Sequence, residues 1–295
     1  MHVERFAPSP TGPLHLGHAF SALTAWDRSL AEAGTFLLRI EDIDQSRART
    51  EWEQQIFEDL QWLGLRWPEP VLRQAQRKEA YETALQKLWA LGLLYPCTCT
   101  RRDIAVALDA PQEGDIRTGP DGPVYPGTCR ARGAVAPPLS SLPQGAALRL
   151  DMTRATSLLA EHQQSAPKGQ GPRFLETGPK NRGWQALDFD MLVRNVGDVV
   201  LARKDIGTSY HLSVVVDDAY QKVTHVTRGE DLFDATQIHV LLQTLLKQPT
   251  PIYHHHRLIR DHTGKRLAKR DDARAIAKYR SDGATPADIR RMLDI

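Results

Sequence analysis

The sequence predicts an α/β fold, in which a parallel β-sheet is flanked by helices and a smaller module is inserted between its two halves. Two short buried strands are predicted at residues 3–7 and 35–40, and each is followed by a polar loop. Apolar residues at helical spacing fill the segments between strands. Between residues 97 and 184 this alternation gives way to glycines, prolines and a polar stretch. Alternating strands and helices are typical of a parallel sheet covered by helices.

Length and composition limit the class of protein. The 295 residues are enough for one large domain or two small ones, and 41% of them are hydrophobic and 25% charged, as in ordinary globular proteins. The net charge of +2 means that a nucleic-acid surface has to come from local clustering of cations. The first residues contain no apolar signal region and no run is long enough for a membrane span, so we expect a cytoplasmic protein.

The first strand is followed by a candidate phosphate site. Prolines and glycines in the loop at 8–17 prevent any regular continuation of the strand, and apolar positions return at helical spacing from Ala19 until Gly34. His15 and His18 lie where this helix begins. The free amide groups and the positive end of a helix dipole favour a phosphate at that position. An ordinary turn would show the same glycine and proline pattern, so the pattern alone leaves both interpretations open.

The second strand, TFLLRI, delivers Glu41, Asp42 and Asp44 at its carboxyl end. Ligands bind at that edge of an open parallel sheet, although an isolated acidic loop is more often only solvated. Helices are predicted at 46–63 and then around Tyr81, with their leucines and aromatic residues in the core.

The module between 97 and 184 contains all three cysteines, Cys97, Cys99 and Cys129. An odd number of cysteines argues against a disulfide framework. They are either three reduced thiols or part of a zinc site, which requires a fourth ligand. One strand is predicted at 146–151, and the polar stretch at 161–183 is either a disordered surface loop or a segment that orders on RNA.

The second half of the sheet is predicted to follow the module. For residues 209–218 the β-propensity of three consecutive valines favours a strand, whereas the spacing of leucine and valine also fits a buried helix. Arg5 and Arg228 lie at predicted sheet ends, where an arginine fork can bind a carboxylate with two hydrogen bonds. The remaining elements predicted here are strands at 189–194, 199–204, 223–227 and 252–256 and a helix at 235–247.

Three motifs in this order resemble those of class I aminoacyl-tRNA synthetases. RFAPSPTGPLHLGH at 5–18 resembles the HIGH signature in its glutamyl form, and LRIEDID at 38–44 resembles LRIEDTD of glutamyl-tRNA synthetases, with Ile43 in place of threonine. GKRLAKR at 264–270 resembles the KMSKS loop. It departs from that loop at Arg266, which replaces the first lysine, and at Ala268, which replaces the serine. The segment at 210–232 resembles the glutamyl synthetase core.

This resemblance implies a class I synthetase fold with a Rossmann-like parallel sheet. The catalytic domain would comprise residues 1–96 and 185–256, split by a zinc-containing module at 97–184 that meets the tRNA acceptor end in such enzymes. Residues 257–295 would form the KMSKS-like loop and a helical segment. The resemblance also implies that residues 209–218 form a buried helix.

The resemblance further implies roles for individual residues. The catalytic residues would be His15, His18 and Lys269. ATP would be bound by Pro8, His15, Gly17, His18 and Lys269, with Mg²⁺ bridging its phosphates. L-Glutamate would be bound by Arg5, Ala7, Ser9, Glu41, Tyr210 and Arg228, with Glu41 on its α-ammonium group. A structural Zn²⁺ would be bound by Cys97, Cys99, Tyr125 and Cys129, because short relatives carry a C-x-C…Y-x3-C pattern here.

Only a short segment follows Arg270, whereas a full glutamyl-tRNA synthetase continues into a large helical anticodon-binding region. The chain therefore resembles the stand-alone glutamyl-queuosine tRNA(Asp) synthetases. This implies ATP-dependent activation of L-glutamate and its transfer to queuosine in the anticodon loop of tRNA(Asp), and we expect a monomer. Three alternatives remain: a truncated glutamyl-tRNA synthetase that charges a tRNA 3′ end, a non-catalytic tRNA-binding paralogue, and a related nucleotidyl-transferring ligase that acts on a small amine.

Overall fold

The computed structural model describes residues 1–109, 117–130, 141–164, 171–260 and 274–295. The strands, numbered in chain order, are β1 (Val3–Phe6), β2 (Thr35–Ile40), β3 (Leu72–Arg73), β4 (Leu94–Cys97), β5 (Thr118–Gly119), β6 (Gly122–Pro123), β7 (Ala147–Leu150), β8 (Arg173–Glu176), β9 (Gly183–Ala186), β10 (Val200–Ala202), β11 (His225–Gly229) and β12 (Ile252–His256). The helices are α1 (Leu16–Ala31), α2 (Thr50–Trp62), α3 (Lys78–Ala90), α4 (Arg101–Asp109), α5 (Met152–Gln164), α6 (Phe189–Met191), α7 (Tyr210–Tyr220), α8 (Phe233–Leu245), α9 (Ile276–Ser281) and α10 (Pro286–Leu293).

Parallel strands from the two ends of the chain form the centre of the fold, as the predicted fold class requires. β1 pairs with β2 and β2 with β3, while β11 pairs with β12 and β12 with β8, all in parallel. The amide of Thr224, directly before β11, donates to the carbonyl oxygen of Val3 at 3.0 Å, so β1 lies beside β11. From these two neighbours the chain proceeds towards opposite edges of the sheet. The crevice at the carboxyl ends of β1 and β11 is therefore a topological switch point, where open α/β sheets bind ligands.

A second, antiparallel sheet has the strand order β10-β7-β4. β7 comes from the range predicted for the inserted module, whereas β10 follows that range in the chain. Conversely, β8 comes from the predicted module and lies in the main sheet, and β9, which crosses the predicted boundary, pairs antiparallel with β8 at the edge. The strand pairing thus crosses the predicted boundary at residue 184, and the domain boundaries stay a prediction.

Most predicted elements are confirmed, and β2 and β12 have the predicted bounds. The strand predicted at 189–194 is wrong. Those residues form α6 and a π-type turn, Leu192–Val196, because the side chain of Asp188 accepts the amide of Met191 at 2.9 Å and starts a helical turn. Leu192 and Val196 then point into the core four residues apart. β8 and the first residue of β9 lie in the polar stretch at 161–183, for which no strand was predicted.

Residues 210–220 are helical, as the resemblance implied, and Ser209 caps α7 by accepting the amide of Leu212. Helices α3, α5, α7 and α8 pack with the antiparallel sheet in one buried cluster, and α1, α2 and α10 pack against β1 and β2 in another. Within the described ranges, no helix combines the length and apolar character that a membrane span requires.

Candidate active site

A cavity of about 340 Å³ opens at the carboxyl edge of the parallel sheet. Its walls include residues from the ends of β1, β2, β11 and β12 and from the first turns of α1 and α7. These residues meet at the switch point because parallel strands end at the same edge of the sheet. The sequence-predicted site residues that line this cavity are Arg5, Ala7, His15, Gly17, His18, Glu41, Tyr210 and Arg228.

Pro8 and Ser9, which were also predicted, do not line the cavity. Pro8 is buried, and its carbonyl oxygen accepts the amide of Glu41 at 3.0 Å, which holds the loop after β1 against the end of β2. Ser9 is exposed. Pro8 thus positions Glu41 next to the cavity, whereas Ser9 does not contact the cavity wall.

The predicted catalytic residue Lys269 lies outside the described residues, as do Arg266 and Ala268. The described residues on either side of this segment are close to the cavity. Ile259 lines it, and after the segment the amide of Ile276 donates to the carbonyl oxygen of Leu14 at 2.8 Å. Ile259, Ile276 and Leu14 are buried in one cluster with residues of the first turn of α1.

The imidazole pair at the start of α1 has a defined hydrogen-bond pattern. The amide of Gly17 donates to Nδ1 of His15 at 3.1 Å, and the amide of His15 donates to Nδ1 of His18 at 3.1 Å. The ring centroids are 3.8 Å apart. Since both Nδ1 atoms accept a backbone proton, each neutral ring carries its own proton on Nε2. The pair caps the helix and can donate Nε2 protons to anionic oxygens.

A buried ionic network forms the floor of the cavity. Asp218 accepts from Nε and Nη2 of Arg5 at 3.1 and 3.4 Å and from Nη1 of Arg39 at 2.6 Å. Nη2 of Arg39 donates to Oε1 of Glu41 at 3.2 Å. Burial alone would raise the pKa of Asp218, but Arg5 and Arg39 keep it below its ordinary value. Burial raises the pKa of Glu41, and Arg39 and Arg5 offset only part of that rise.

This network leaves one nitrogen of Arg5 and one oxygen of Glu41 available to a ligand. Nη1 of Arg5 and Oε2 of Glu41 make no hydrogen bond to the described residues. The Nη1–Nη2 edge of Arg5 can therefore bind a carboxylate, and Glu41 can accept from an ammonium group.

Arg228 is held more completely, because four of its five N–H donors have protein acceptors. Nε donates to Nε2 of His255 and Nη1 donates to Nδ1 of His239, both at 3.1 Å. Nη2 donates to the carbonyl oxygen of Leu232 at 3.2 Å and to the hydroxyl of Thr236 at 2.5 Å. One Nη1 proton is left without an acceptor among the described residues.

Sequence reasoning missed the partners of these arginines. Asp218 and Arg39 lie within the segments 210–232 and 38–44, but no role was predicted for either. A signal existed for both: an arginine within the apolar strand TFLLRI and an acidic pair at the end of an apolar helix each require an opposite charge when buried. That they pair with one another, and with Arg5, follows only from the fold.

The three cysteines form a compact cluster that could hold a metal. Their sulfur atoms lie within 4.8 Å of one another, and Sγ of Cys99 is 3.4 Å from Sγ of Cys129. The hydroxyl of Tyr125 is 3.5 Å from Sγ of Cys97 and 3.4 Å from Sγ of Cys99. Nε of Arg149 donates to Sγ of Cys97 at 3.4 Å, and its guanidinium carbon lies 3.8 Å from the centroid of the Tyr125 ring.

This donor set fits tetrahedral zinc. Bonds of about 2.3 Å to sulfur and about 2.0 Å to oxygen place neighbouring sulfurs about 3.8 Å apart, and a sulfur and an oxygen about 3.5 Å apart. Burial would raise the pKa of Cys129, but hydrogen bonds with the Tyr125 hydroxyl and the Thr98 backbone lower it to about 6. At Cys129 a thiolate, which is the form that binds metal, is thus accessible near neutral pH, whereas burial raises the pKa of Cys99 and Tyr125, so a bound metal would have to displace their protons.

Comparison with known proteins places these features in a family. The catalytic domain of class I tRNA synthetases (E and Q) matches residues 2–114 and 183–294. A protein from Rhodobacter capsulatus called glutamyl-Q tRNA(Asp) synthetase is 58% identical over 293 residues, which cover 99% of this chain and 100% of that protein. A protein of the same name from Nocardia farcinica is 40% identical, over 98% of this chain and 82% of its own length.

Solved structures agree with the sequence comparison. A glutamate-tRNA synthetase from Elizabethkingia anophelis superposes with a TM-score of 0.74 at 26% identity. A glutamate tRNA ligase from Elizabethkingia meningosepticum, in complex with its amino acid, gives a TM-score of 0.72 at 27% identity. Both cover 99% of this chain, which spans only 61% and 60% of their respective lengths. The chain therefore belongs to the family of class I tRNA synthetases (E and Q), and it is a ligase of the aminoacyl-tRNA synthetase type.

Proposed function

We propose that this chain activates L-glutamate with ATP and transfers the glutamyl group to queuosine in the anticodon loop of tRNA(Asp). The observation that carries the proposal is the cavity at the switch point, where Arg5, Glu41 and the His15–His18 pair meet. The acceptor is supported by the name of the relatives, glutamyl-Q tRNA(Asp) synthetase. In this proposal the enzyme acts as a monomer in the cytoplasm, where its tRNA substrate is found.

The cavity offers complementary groups to each end of glutamate. Glu41 would accept from the α-ammonium group through Oε2. The α-carboxylate has to remain available for reaction, so the arginines would bind the side-chain carboxylate, Arg5 through its Nη1–Nη2 edge and Arg228 through one N–H. Ala7 and Tyr210 line the same cavity. Ser9 is exposed outside this lining, so it would contact the amino acid only after a shift of the loop that follows β1.

In the first step, an oxygen of the glutamate α-carboxylate attacks the α-phosphorus of ATP. The bond from that phosphorus to the bridging oxygen breaks, and pyrophosphate leaves with the electron pair. His15 and His18 would donate Nε2 protons to phosphate oxygens at the positive end of the α1 dipole. Pro8 and Gly17 would contact ATP beside them, and Lys269 would neutralise the leaving pyrophosphate. Mg²⁺, when bound, would neutralise charge on the phosphates.

In the second step, a hydroxyl oxygen of the acceptor attacks the carbonyl carbon of glutamyl-adenylate. The bond from that carbon to the phosphate oxygen breaks, and AMP leaves with the electron pair and takes up the hydroxyl proton. Neither step requires a covalent enzyme nucleophile, so catalysis would come from alignment and charge stabilisation. Zn²⁺ would be bound by Cys97, Cys99, Cys129 and Tyr125, with a structural role in the module.

The proposal is tested by ATP–pyrophosphate exchange with each amino acid, with and without tRNA. Exchange that depends on glutamate is expected, followed by labelled glutamate inside tRNA(Asp) rather than at its 3′ end. This label should be lost when periodate has first oxidised the queuosine diol. Label at the 3′ end of tRNA(Glu) would instead identify a glutamyl-tRNA synthetase. Absence of any exchange would favour a non-catalytic tRNA-binding protein.

A further inference from the structure

A continuous chain of hydrogen bonds leads from the cavity to the protein surface. Nη1 of Arg228 donates to Nδ1 of His239 at 3.1 Å. Nε2 of His239 is 3.0 Å from Nδ1 of His211. Nε2 of His211 is 2.9 Å from Oδ2 and 3.1 Å from Oδ1 of Asp121. Both histidines are buried, whereas the carboxylate of Asp121 is 57% exposed.

The chemistry of the two ends fixes every proton in this chain. An arginine can only donate, so Nδ1 of His239 accepts and its proton lies on Nε2. That proton is donated to Nδ1 of His211, whose own proton therefore lies on Nε2 and is donated to Asp121. The pKa of His239 is well below its ordinary value because burial and the adjacent Arg228 disfavour the imidazolium form. Burial would raise the pKa of Asp121, but the hydrogen bond from His211 keeps it low.

Asp121 lies in the turn between β5 and β6 of the predicted module, and this hairpin packs closely against residues 194 and 195. A Cβ atom at Gly119 would collide with the carbonyl oxygen of Asn195, so only glycine permits this close approach of the hairpin. Nη1 of Arg117 donates to the carbonyl oxygen of Arg194 at 3.5 Å on the same side. The turn thus holds the carboxylate of Asp121 against α7 from a different part of the chain.

We propose that Asp121 is a positioning residue for the amino-acid site, acting on Arg228 through His211 and His239. This inference rests on the proposed function, in which Arg228 binds the glutamate side chain. Without an acceptor at position 121, His211 can take the tautomer with the proton on Nδ1, which then faces the Nε2 proton of His239. If His239 changes tautomer in response, it presents an N–H to Arg228, and the guanidinium loses the acceptor that orients Nη1.

The kinetic test compares Asp121→Ala with Asp121→Asn in glutamate-dependent ATP–pyrophosphate exchange. We expect the alanine variant to raise KM for glutamate about tenfold, the size of one lost hydrogen bond, while KM for ATP and kcat change less than about twofold. The asparagine variant keeps an acceptor oxygen and should restore KM for glutamate to near the wild-type value. Asp205→Ala, at another exposed aspartate, is the matched control and should leave both KM values unchanged.

The second test is ¹⁵N-histidine NMR of the full chain, which distinguishes the tautomers directly. Wild-type protein should show protons on Nε2 of His211 and His239, and Asp121→Ala should change at least one of them. The inference is overturned by a proton on Nδ1 of either ring in the wild type, or by an active Asp121→Ala variant with an unchanged KM for glutamate. A wild-type protein that does not activate glutamate would contradict the proposed function instead, while the tautomers still report on the chain of hydrogen bonds.

Discussion

Arg5 and Arg228 are both fixed by the protein, but they leave different donors for a ligand. Arg5 binds Asp218 through the Nε side of its guanidinium, so the opposite edge keeps two parallel N–H groups. Arg228 retains a single proton on Nη1. A buried guanidinium that is already oriented does not have to lose side-chain freedom when the ligand binds. Arg5 therefore provides the two-bond contact and Arg228 an additional directional one.

Glutamate binding should depend on pH through Glu41. The carboxylate must be ionised to bind an ammonium group, and burial raises its pKa. Binding is therefore complete at pH values above this raised pKa and is lost as the pH falls through it. We expect KM for glutamate to rise about tenfold per pH unit below that pKa. Exchange kinetics between pH 5 and 8 measure this, and Glu41→Gln should show a high KM without that pH dependence. A wild-type profile retained in Glu41→Gln would contradict the assignment.

Capping by His15 can be separated from its proposed role at the phosphates. In His15→Asn the side-chain oxygen can still accept the amide of Gly17, because asparagine is a favourable N-cap residue. The variant lacks the Nε2 proton, so we expect kcat of exchange to fall about 100-fold with the stability to urea nearly unchanged. An active His15→Asn variant, or one that loses stability in proportion to its activity, would show that His15 acts only as a cap.

Local motifs predicted the residues that line the cavity but not those that orient them. His15 and His18 were identified because a loop and a helix start are adjacent in sequence. Arg5 is separated from Asp218 by 213 positions, and Arg228 binds a histidine on the next helix. The pairing of buried charges depends on the pairing of the strands that carry them. No local pattern in a single sequence indicates which strands pair.

For the helices and strands, residues that cap a helix start were more reliable predictors than β-propensity. Three consecutive valines favoured a strand at 209–218, yet Ser209 caps a helix there and the valines pack in its buried face. Residues 189–194 are mostly apolar and were predicted as a strand, but Asp188 starts a helical turn in front of them. In both segments a side chain that satisfies free amides at a helix start overrode β-propensity.

Helix α7 is joined to α3 by the buried Asp217. Its carboxylate accepts from the hydroxyl of Tyr81 at 2.7 Å and from Gln74 and Arg77 at 2.9 Å each. Burial and Asp217 raise the pKa of Tyr81, which keeps the hydroxyl a donor. Removing it in Tyr81→Phe should lower the free energy of unfolding by about 1.5–3 kcal/mol, the value of a hydrogen bond to a charged group. Urea denaturation measures the change, and Tyr220→Phe, at an exposed tyrosine, is the matched control.

Equal midpoints for the two variants would mean that Gln74 and Arg77 alone satisfy Asp217. A loss in Tyr81→Phe with no change in Tyr220→Phe would instead assign the stabilisation to the buried hydrogen bond between the helices.

The antiparallel sheet and the hairpin β5–β6 connect the cysteine cluster to helix α7. β4 carries Cys97, and β6 continues within two residues to Tyr125, which lies at the cluster. The same hairpin presents Asp121 to α7. The sequence predicted an inserted module, but the register of β7 between β4 and β10 ties that module into the catalytic domain.

Metal removal should therefore affect both stability and the amino-acid site. If Zn²⁺ holds Cys97, Cys99, Cys129 and Tyr125 together, a chelator should lower the Tm and expose the segment around 117–130 to proteolysis. Loosening the hairpin also withdraws Asp121 from His211, so KM for glutamate should rise by about the same factor as in Asp121→Ala. Chelation and Asp121→Ala both remove the same contact, that between Asp121 and His211. Chelation of the Asp121→Ala variant should therefore raise KM for glutamate little further, although the Tm still falls. Independent, multiplying effects on KM would show that the cysteine cluster and the amino-acid site are not linked through the hairpin.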